Sequence, residues 1–284
     1  MTIQVAFQNL VDSLTTYYGE REAANISRIV FEDALGIRAT HQATPLPPSQ
    51  LERLRSIQTR LSKHEPIQYI LEAADFYGLK FKVSPAVLIP RQETEELVYW
   101  ILQEHPKAAP LRVLDIGTGS GCIPLTLKKH RPSWQISALD VSPAALAIAQ
   151  ENAHRLNLEV TFLHQDILQP HSWPTLGPWD IIISNPPYIP HQEAHLLAPH
   201  VKSQEPHLAL FVSDDDPLLF YRSISAFAKR QLAPSGCLYF EVNSFNGTEV
   251  VALLQDDGFS EVELQQDMQG NDRMVRGEGG DSRQ

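Results

Sequence analysis

Residues 112–122 read Arg-Val-Leu-Asp-Ile-Gly-Thr-Gly-Ser-Gly-Cys, an apolar run followed by three glycines within five positions. The apolar run predicts a buried strand, and the apolar residues after Cys122 predict a helix. Glycine tolerates the positive φ angles of a sharp turn and lets the backbone approach a ligand closely. The segment therefore predicts a strand, a ligand-binding turn and a helix, which is the first step of an α/β fold.

The sequence of this turn differs from two known phosphate-binding motifs. The dinucleotide fingerprint has glycines at its first, third and sixth positions, but the sixth position counted from Gly117 is Cys122. The Gly-Lys-Ser/Thr ending of the other motif, the phosphate loop of nucleotide hydrolases, does not occur here either. The turn therefore favours a ligand other than a dinucleotide or a nucleoside triphosphate.

Strand and helix patterns alternate from residue 111 onward. Such alternation implies a doubly wound sheet with right-handed crossovers. The predicted strands are Arg112–Ile116, Gln135–Leu139, Val160–Leu163, Ile181–Ser184, Cys237–Val242, Val262–Leu264 and Met274–Val275. The predicted helices are Ile123–Lys129, Pro143–Leu156, Pro217–Gln231 and Thr248–Leu254.

Acidic residues stand at successive strand ends around the glycine turn. Asp140 ends the second strand, about twenty residues after the turn, where a carboxylate can accept both hydroxyl groups of a ribose. Asp166 closes the third strand within reach of an adenine amino group, and Asp115 can meet an ammonium group. Each alone is more typical of a strand-end cap, but in this order they predict an adenosine site. Since no cluster of cations accompanies them, we expect an uncharged linkage, as in S-adenosylmethionine.

The motif Asn185-Pro186-Pro187-Tyr188 follows the β-branched run Ile181–Ser184. That run predicts a strand buried on both faces, and the prolines end it because they cannot donate to a sheet. An Asn side chain, free backbone carbonyls and a Tyr ring can hold a planar NH2 group by two hydrogen bonds and cover its face. The alternative interpretation is a purely structural turn.

The composition is that of an ordinary globular protein, with 43% hydrophobic and 20% charged residues among 284. The formal net charge of −11 disfavours broad binding to a nucleic-acid backbone. Cys122 and Cys237 are too few for a disulfide framework, and the sequence shows neither a signal peptide nor a membrane-length apolar run. We expect a cytoplasmic monomer without direct nucleic-acid or membrane binding.

Four regions are predicted along the chain. They are a helical domain (1–73), a hairpin linker (74–86), an α/β domain (87–276) and a flexible tail (277–284). In the helical domain Ser49 and Glu52 are predicted to form a capping box for the third helix. Arg91 and Glu93 are interpreted as a surface ion pair or as the mouth of a site. The helical domain carries no catalytic pattern, so it either packs structurally or docks a macromolecular substrate.

The glycine turn at 115–121 followed by Asn-Pro-Pro-Tyr at 185–188 resembles the Rossmann-like amino-methyltransferases. Within that group the chain resembles the bacterial release-factor glutamine methyltransferases, the HemK-type protein-(glutamine-N5) methyltransferase family. The resemblance covers nearly the whole chain. It also includes Glu65–Ile70, Leu88–Glu95, Glu205–Leu210, Phe220–Arg222, Gly236–Glu241 and Gly270–Arg273.

The resemblance implies a small helical N-terminal domain, here a substrate-docking domain, and an S-adenosylmethionine-dependent methyltransferase domain. It implies methylation of the side-chain amide nitrogen of the glutamine in the Gly-Gly-Gln loop of peptide chain release factors, a step in translation termination. The residues expected to hold the cofactor are Gly117, Thr118, Gly119, Ser120, Gly121, Asp140, Asp166, Ile167 and Asn185. The residues expected to hold the glutamine are Asn185, Pro186, Pro187 and Tyr188, with catalysis assigned to Asn185, Pro186 and Tyr188. Ile167 stands where an aromatic residue is frequent, so packing against adenine is expected to differ.

The predicted mechanism depends on two hydrogen-bond acceptors, because an amide nitrogen is a poor nucleophile whose lone pair is delocalised into the carbonyl group. Asn185 Oδ1 and the Pro186 carbonyl oxygen each accept one N–H of the substrate amide. These bonds orient the lone pair and favour the positive charge that grows on nitrogen. Tyr188 packs on the face of the amide and excludes water.

Three other functions fit parts of the sequence. A ribosomal-protein glutamine methyltransferase shares the fold and the motif. An adenine amino-methyltransferase would need a basic channel for a flipped base, which the charge of −11 disfavours. A non-catalytic adapter for release factors is disfavoured by the intact motifs. No metal site is predicted, since His195, His200 and His207 lack the partners typical of zinc.

Overall fold

The computed structural model describes residues 1–105, 109–173 and 177–279. Contacts between Cα atoms divide the chain into two compact units. One contains residues 1–73 and 198–204, and the other contains residues 74–197 and those from 205 onward.

Helices and strands are numbered here in chain order. The helices are α1 (Ile3–Tyr18), α2 (Glu20–Ile29), α3 (Pro48–Leu61), α4 (Ile67–Leu71), α5 (Gln92–Glu104), α6 (Cys122–His130), α7 (Pro143–Leu156), α8 (Pro199–Gln204), α9 (His207–Leu210), α10 (Leu219–Gln231) and α11 (Gly247–Asp256). The strands are β1 (Ala73–Phe76), β2 (Leu79–Lys82), β3 (Arg112–Ile116), β4 (Gln135–Asp140), β5 (Thr161–His164), β6 (Trp179–Ser184), β7 (Ile189–Pro190), β8 (Phe211–Val212), β9 (Leu232–Glu241), β10 (Ser260–Gln266) and β11 (Asp272–Glu278). A π-helical segment (Val30–Ala34) and two 3-10 segments (Pro170–Ser172, His191–His195) complete the described elements.

The first unit packs its helices around an apolar core. Leu10, Leu14 and Phe31 are among its fully buried side chains, and each belongs to a face with helical spacing. The predicted capping box at Ser49 is wrong. Helix α3 begins at Pro48, whose ring presets the φ angle of a first helical turn, so Ser49 lies inside the helix.

The hairpin β1–β2 turns at Tyr77 and Gly78, which both have positive φ angles of 49° and 74°. A two-residue turn of this kind matches the twist of paired strands. Its Phe81 is fully buried in the core of the second unit. Asn152 of α7 clamps the hairpin, since its side-chain oxygen accepts a hydrogen bond from Lys82 N and its Nδ2 donates to Lys82 O.

Seven strands form the central sheet, in the order β10-β11-β9-β6-β3-β4-β5. Strands β9, β6, β3, β4 and β5 run parallel to one another, whereas β11 runs antiparallel to β9 and to β10. Ile181, Ile182 and Ile183 of the central strand β6 are fully buried. The predicted doubly wound α/β sheet is confirmed. The last strand continues to Glu278, two residues into the segment predicted as a tail.

The chain order of the parallel strands reverses beside β3. From β3 the chain adds β4 and β5 on one side, then returns to add β6 and β9 on the other side. Open α/β sheets bind ligands outside the carboxyl ends of their strands at such a reversal. The sheet therefore places a site beyond Ile116 and Ser184, which are paired in register. In the described part of the chain, no helix combines the length and apolar character that crossing a bilayer requires.

Candidate active site

Strand register brings four sequence-distant residues into one row at the carboxyl edge of the sheet. Ile116 pairs with Leu139 and with Ser184, and Ser184 in turn pairs with Phe240. The residues that immediately follow these four partners are Gly117, Asp140, Asn185 and Glu241. The Ser184 hydroxyl donates to the Ile116 carbonyl at 2.7 Å and ties the two central strand ends together.

A cavity of about 290 Å³ is lined by Gly117, Asp140 and Asn185 of this row. Its lining includes most of the residues that the sequence assigned to a site. These are Gly117, Thr118, Gly119, Ser120, Asp140, Ile167, Asn185, Pro186 and Pro187. Gly121, Asp166 and Tyr188 lie outside the described lining.

The glycine turn between β3 and α6 depends on backbone conformations that suit glycine. Gly117, Gly119 and Gly121 have φ angles of 77°, 55° and 78°. A Cβ atom at Gly121 would lie 3.1 Å from Leu125 Cδ1 and 3.2 Å from Ala149 Cβ. Gly121 therefore serves the close packing of α6 on α7, whereas Gly117 and Gly119 have open space toward the cavity.

Asp140 is held at the end of β4 by backbone donors. Its Oδ2 accepts from Gly119 N and its Oδ1 from Ser142 N, each at 2.9 Å. Burial raises the pKa of this carboxyl, and the three backbone donors of Ser142, Gly119 and Val141 partly offset that rise. Each carboxylate oxygen keeps a further lone pair. Asp140 is thus fixed in place with acceptor capacity left for hydroxyl groups of a ligand.

Asp115 is a buried carboxylate directly before the glycine turn, 1% exposed. Neither of its oxygens accepts a hydrogen bond of normal geometry from a described residue. The buried Thr118 hydroxyl likewise forms no hydrogen bond of normal geometry with a described residue. Burial raises the pKa of Asp115 to about 7, against a smaller opposing effect of the nearby Thr118 side chain. Uncompensated buried acceptors are costly, which fits a place where a ligand supplies donors or positive charge.

Asp166 and Ile167, the two residues predicted for the site after the third strand, differ in their position relative to the cavity. Ile167 lines the cavity and is 7% exposed. Asp166 forms local bonds instead, with Oδ1 accepting from Leu168 N and Oδ2 from Gln169 Nε2. The structure thus brings the apolar side chain to the cavity and leaves the carboxylate at a turn.

The turn after β6 presents Asn185, Pro186 and Pro187 to the cavity. The Tyr188 ring packs instead on the apolar cluster formed by the sheet, α10 and α11. Burial raises the pKa of the Tyr188 phenol well above its ordinary value, with nearby Glu241 adding to the rise. The phenol therefore stays neutral, and the turn is seated on an apolar base.

Sequence reasoning assigned no role to two buried residues that join this turn. Thr94, in the first turn of α5, donates its hydroxyl to Glu241 Oε2 at 2.6 Å. Asn185 Nδ2 donates to Thr94 Oγ1 at 3.4 Å. Thr94 and Glu241 are 3% and 2% exposed. Both fell within segments quoted for the family resemblance, but no local signal could show that residues 147 positions apart would meet.

The interpretation of Arg91 and Glu93 as an ion pair is wrong. Arg91 pairs through Nη2 with Glu205 Oε1 at 2.5 Å, and Glu205 has a fully buried side chain. Glu205 Oε2 also accepts from Ile89 N. A buried carboxylate offers the guanidinium a better-defined partner than a solvated neighbour does.

Arg91 is also the one cation among the described residues that line the cavity, and its guanidinium is already bound to Glu205. The rest of the described lining consists of glycine backbone, the Asp140 carboxylate, other polar groups and apolar side chains. A ligand with a pyrophosphate would meet little positive charge there. The arrangement can bind a nucleoside with a neutral or cationic extension, next to a turn with free acceptors for an NH2 group.

Comparisons with known sequences agree along almost the whole chain. Residues 6–71 match the family described as PrmC N-terminal domain, and residues 96–205 match the family described as Methyltransferase small domain. A release factor glutamine methyltransferase from Flavobacterium psychrophilum is 42% identical over 279 residues, covering 94% of this chain and 95% of that protein. A protein of the same name from Bacteroides thetaiotaomicron is 41% identical, covering 93% of this chain and 95% of that protein.

Comparison with solved structures supports the fold. A methyltransferase from Pyrococcus furiosus matches with a TM-score of 0.53 at 17% identity, covering 79% of this chain and 98% of that one. At this identity the match shows a shared methyltransferase architecture.

Proposed function

Since this chain belongs to the family of release factor glutamine methyltransferases, we propose that it methylates the side-chain amide nitrogen of a glutamine in a peptide chain release factor. The observation that carries the proposal is the turn Asn185–Pro187, which lines the same cavity as the glycine turn. A methyl donor and a planar amide can thus be held next to each other. We assign the glutamine to the Gly-Gly-Gln loop of the release factor.

S-adenosylmethionine is the proposed methyl donor, and when bound it supplies an electrophilic methyl group on a sulfonium centre. The residues present fit this molecule. Gly117 and Gly119 leave open space for close approach, and Asp140 has acceptor capacity for a ribose. Asp115 and Thr118 are buried polar groups without normal partners, and we assign them to the side of the cofactor's ammonium group. Ile167 is assigned to a face of the adenine ring.

Not every predicted cofactor contact has the same support. Ser120 and Asn185 line the cavity and remain assigned to the cofactor side. Gly121 is proposed to act through the packing of the turn. Asp166 is proposed to accept a hydrogen bond from adenine in addition to the one it accepts from Leu168 N. Both remain proposals.

The turn Asn185–Pro187 is proposed to hold the substrate amide. Asn185 Oδ1 and the Pro186 carbonyl oxygen each accept one of its N–H groups, which turns the nitrogen lone pair toward the methyl group. Positioning of this kind can lower a barrier by about 7–11 kcal/mol in favourable cases. Two neutral acceptors also favour the positive charge that develops on nitrogen. Tyr188 is proposed to cover the amide face and exclude water.

No strong base is needed before transfer, because the acceptors hold the NH2 group without removing its proton. The proton released afterwards is proposed to pass to water. A release factor is a cytoplasmic partner, and we place the enzyme there with it.

The test is methyl transfer from labelled S-adenosylmethionine to purified release factors. We expect label on the wild-type release factor and none when its loop glutamine is replaced by alanine. Mass spectrometry of the tryptic peptide would place the methyl group on the glutamine side chain. Label that persists on the loop variant would contradict the proposed site of methylation. Label found only on purified ribosomal proteins or on nucleic acid would show that the substrate is not a release factor.

A further inference from the structure

Glu241 is a buried carboxylate whose partners do not neutralise it. Within the described part of the chain it forms no salt bridge, because nearby Arg273 is engaged by Asp267 at 3.3 Å and by the Val242 carbonyl. Among the described residues, Thr94 donates a short hydrogen bond of 2.6 Å to this carboxylate. Burying a carboxylate in this way costs stability. A role at the neighbouring Asn185 turn would account for its presence.

The side chains of Glu241, Thr94 and Asn185 form a chain of hydrogen bonds with a defined direction. An ionised carboxylate can only accept, so the single hydroxyl proton of Thr94 must point to Glu241. The Thr94 oxygen can then only accept, and the side chain that reaches it must present its NH2 group. Asn185 does so through Nδ2. Its Oδ1 is therefore left as the free end of the amide.

We propose that Thr94 and Glu241 are positioning residues that hold the Asn185 amide with its oxygen toward the substrate NH2 group. The inference rests on the proposed function, in which two acceptors hold the glutamine amide. An Asn185 side chain in the opposite orientation would present NH2 to NH2, and donors would face donors. The ionised Glu241 carboxylate thus sets the orientation of the Asn185 amide through the Thr94 hydroxyl. The 3.4 Å bond to Asn185 is long, as hydrogen bonds in ligand-free sites often are before substrate binding tightens them.

Protonation of Glu241 removes this control. A protonated carboxyl group can donate to Thr94, whose hydroxyl proton is then free to turn toward Asn185 Oδ1 and reverse the chain. Burial raises the pKa of Glu241 to about 7, whereas the Thr94 hydrogen bond, Arg273 and Asn185 oppose the rise. Glu93 on α5 raises it further.

Further titratable groups face Glu241 from neighbouring elements. They are Tyr188 after β6, Tyr221 on α10 and Cys122 on α6. Burial raises the pKa of each of these three groups, and for Cys122 it reaches about 12. All three are therefore neutral near pH 7. Asp115 also has a pKa that burial raises to about 7, and it belongs to the proposed cofactor side of the site. When S-adenosylmethionine is saturating, the acid side of the pH profile is therefore assigned to Glu241.

The kinetic test uses Thr94→Val, Thr94→Ser and Glu241→Gln with a release factor as substrate. We expect Thr94→Val to lower kcat at least 30-fold with less than a threefold change in KM for the release factor. Thr94→Ser restores most of that loss because it keeps the hydroxyl group. At saturating S-adenosylmethionine, wild-type kcat/KM for the release factor is expected to fall on the acid side with an apparent pKa near 7, and Glu241→Gln to lose this dependence between pH 6 and 8.

A matched control is available elsewhere in the second unit. Ser225 is buried and donates to Asp257 Oδ2 at 2.5 Å, so Ser225→Ala removes a similar hydroxyl–carboxylate bond away from the cavity. It is expected to lower the melting temperature and leave kcat unchanged. An equal kcat in Thr94→Val and wild type, or an unchanged acid limb in Glu241→Gln, would overturn the proposal.

A spectroscopic measurement separates this inference from the proposed substrate. With 15N-asparagine labelling, the Asn185 side-chain NH2 signals, identified by their loss in Asn185→Ala, are expected to shift with a midpoint near pH 7. The shift should be absent in Glu241→Gln and in Thr94→Val. If no release factor is methylated but the shift occurs as described, the proposed substrate fails and the positioning role stands. If methylation occurs and the signals do not respond, the positioning role is contradicted.

Discussion

Asp115 shows at the scale of one residue how a binding site costs stability. Its pKa is raised by burial from an ordinary value of 3.8 to about 7. Between these two values the folded chain binds more protons than the unfolded chain does. The free energy of unfolding therefore falls as the pH rises through this window, and the loss is complete above pH 7.

We expect Asp115→Asn to stabilise the protein at pH 8 and to weaken cofactor binding. The neutral amide removes the cost of a buried charge, on the order of a few kcal/mol, and its NH2 group can donate to the unpartnered Thr118 hydroxyl. Thermal unfolding should show a higher melting temperature for the variant at pH 8 and little difference at pH 4. Calorimetry should show at least tenfold weaker binding of S-adenosylmethionine. A lower melting temperature for the variant at pH 8 would contradict this account of Asp115.

Residue identities were predictable where one motif contains all the partners. Asn185–Pro187 and Gly117–Ser120 reach the cavity because each follows a strand whose pattern is plain in the sequence. The Tyr188 ring packs in part on the apolar cluster beside the turn, a contact that its sequence position does not reveal, and its role at the substrate amide stays a prediction. Thr94 and Glu241 meet only through tertiary packing, which no local pattern encodes.

At the scale of elements, the turn between β3 and α6 couples packing to ligand binding. Gly121 combines a positive φ angle with close contacts to α6 and α7, whereas Gly258 has a similar φ angle of 86° and open space around it. The two glycines therefore separate the cost of the backbone conformation from the cost of crowding.

We expect Gly121→Ala to destabilise the protein more than Gly258→Ala does. Both variants pay about 1–2 kcal/mol for a left-handed backbone, but only at Gly121 must the Leu125 side chain and the α7 backbone at Ala149 also shift. Melting temperatures measured side by side give the comparison, and S-adenosylmethionine affinity should fall only for Gly121→Ala. Equal melting temperatures for the two variants would show that the contact with α7 does not constrain the turn.

Element type was easier to predict than element ends. The strand predicted from Cys237 begins earlier, at Leu232, which pairs with Trp179 of the neighbouring β6. Residues 233–236 read Ala-Pro-Ser-Gly and lack a strand pattern, so the sequence did not indicate this start. Helix α3 likewise begins at Pro48 and not after a capping box. Pairing and proline geometry determined these ends, and neither follows from hydrophobic periodicity.

At the scale of the whole molecule, the parallel strand order makes the site possible. The sheet reverses its chain order beside β3, and its parallel registers bring Gly117, Asp140, Asn185 and Glu241 into one row. The alternation of strands and helices predicted this class of fold, and the helical pattern before residue 73 predicted a separate first unit. The antiparallel pairing of β11 with β9 and β10 was not predicted, because short apolar segments do not reveal their direction.

The central claim is that Asn185 supplies one of two acceptors that select and orient an amide. The most direct measurement is the single-turnover rate of release-factor methylation by Asn185→Ala, with S-adenosylmethionine affinity measured by calorimetry on the same preparation. We predict a rate about 10²–10³ lower, as expected when one stabilising hydrogen-bond partner is removed, and a cofactor affinity within a few-fold of wild type. A variant that binds the cofactor and methylates the release factor at a rate within tenfold of wild type would contradict the account.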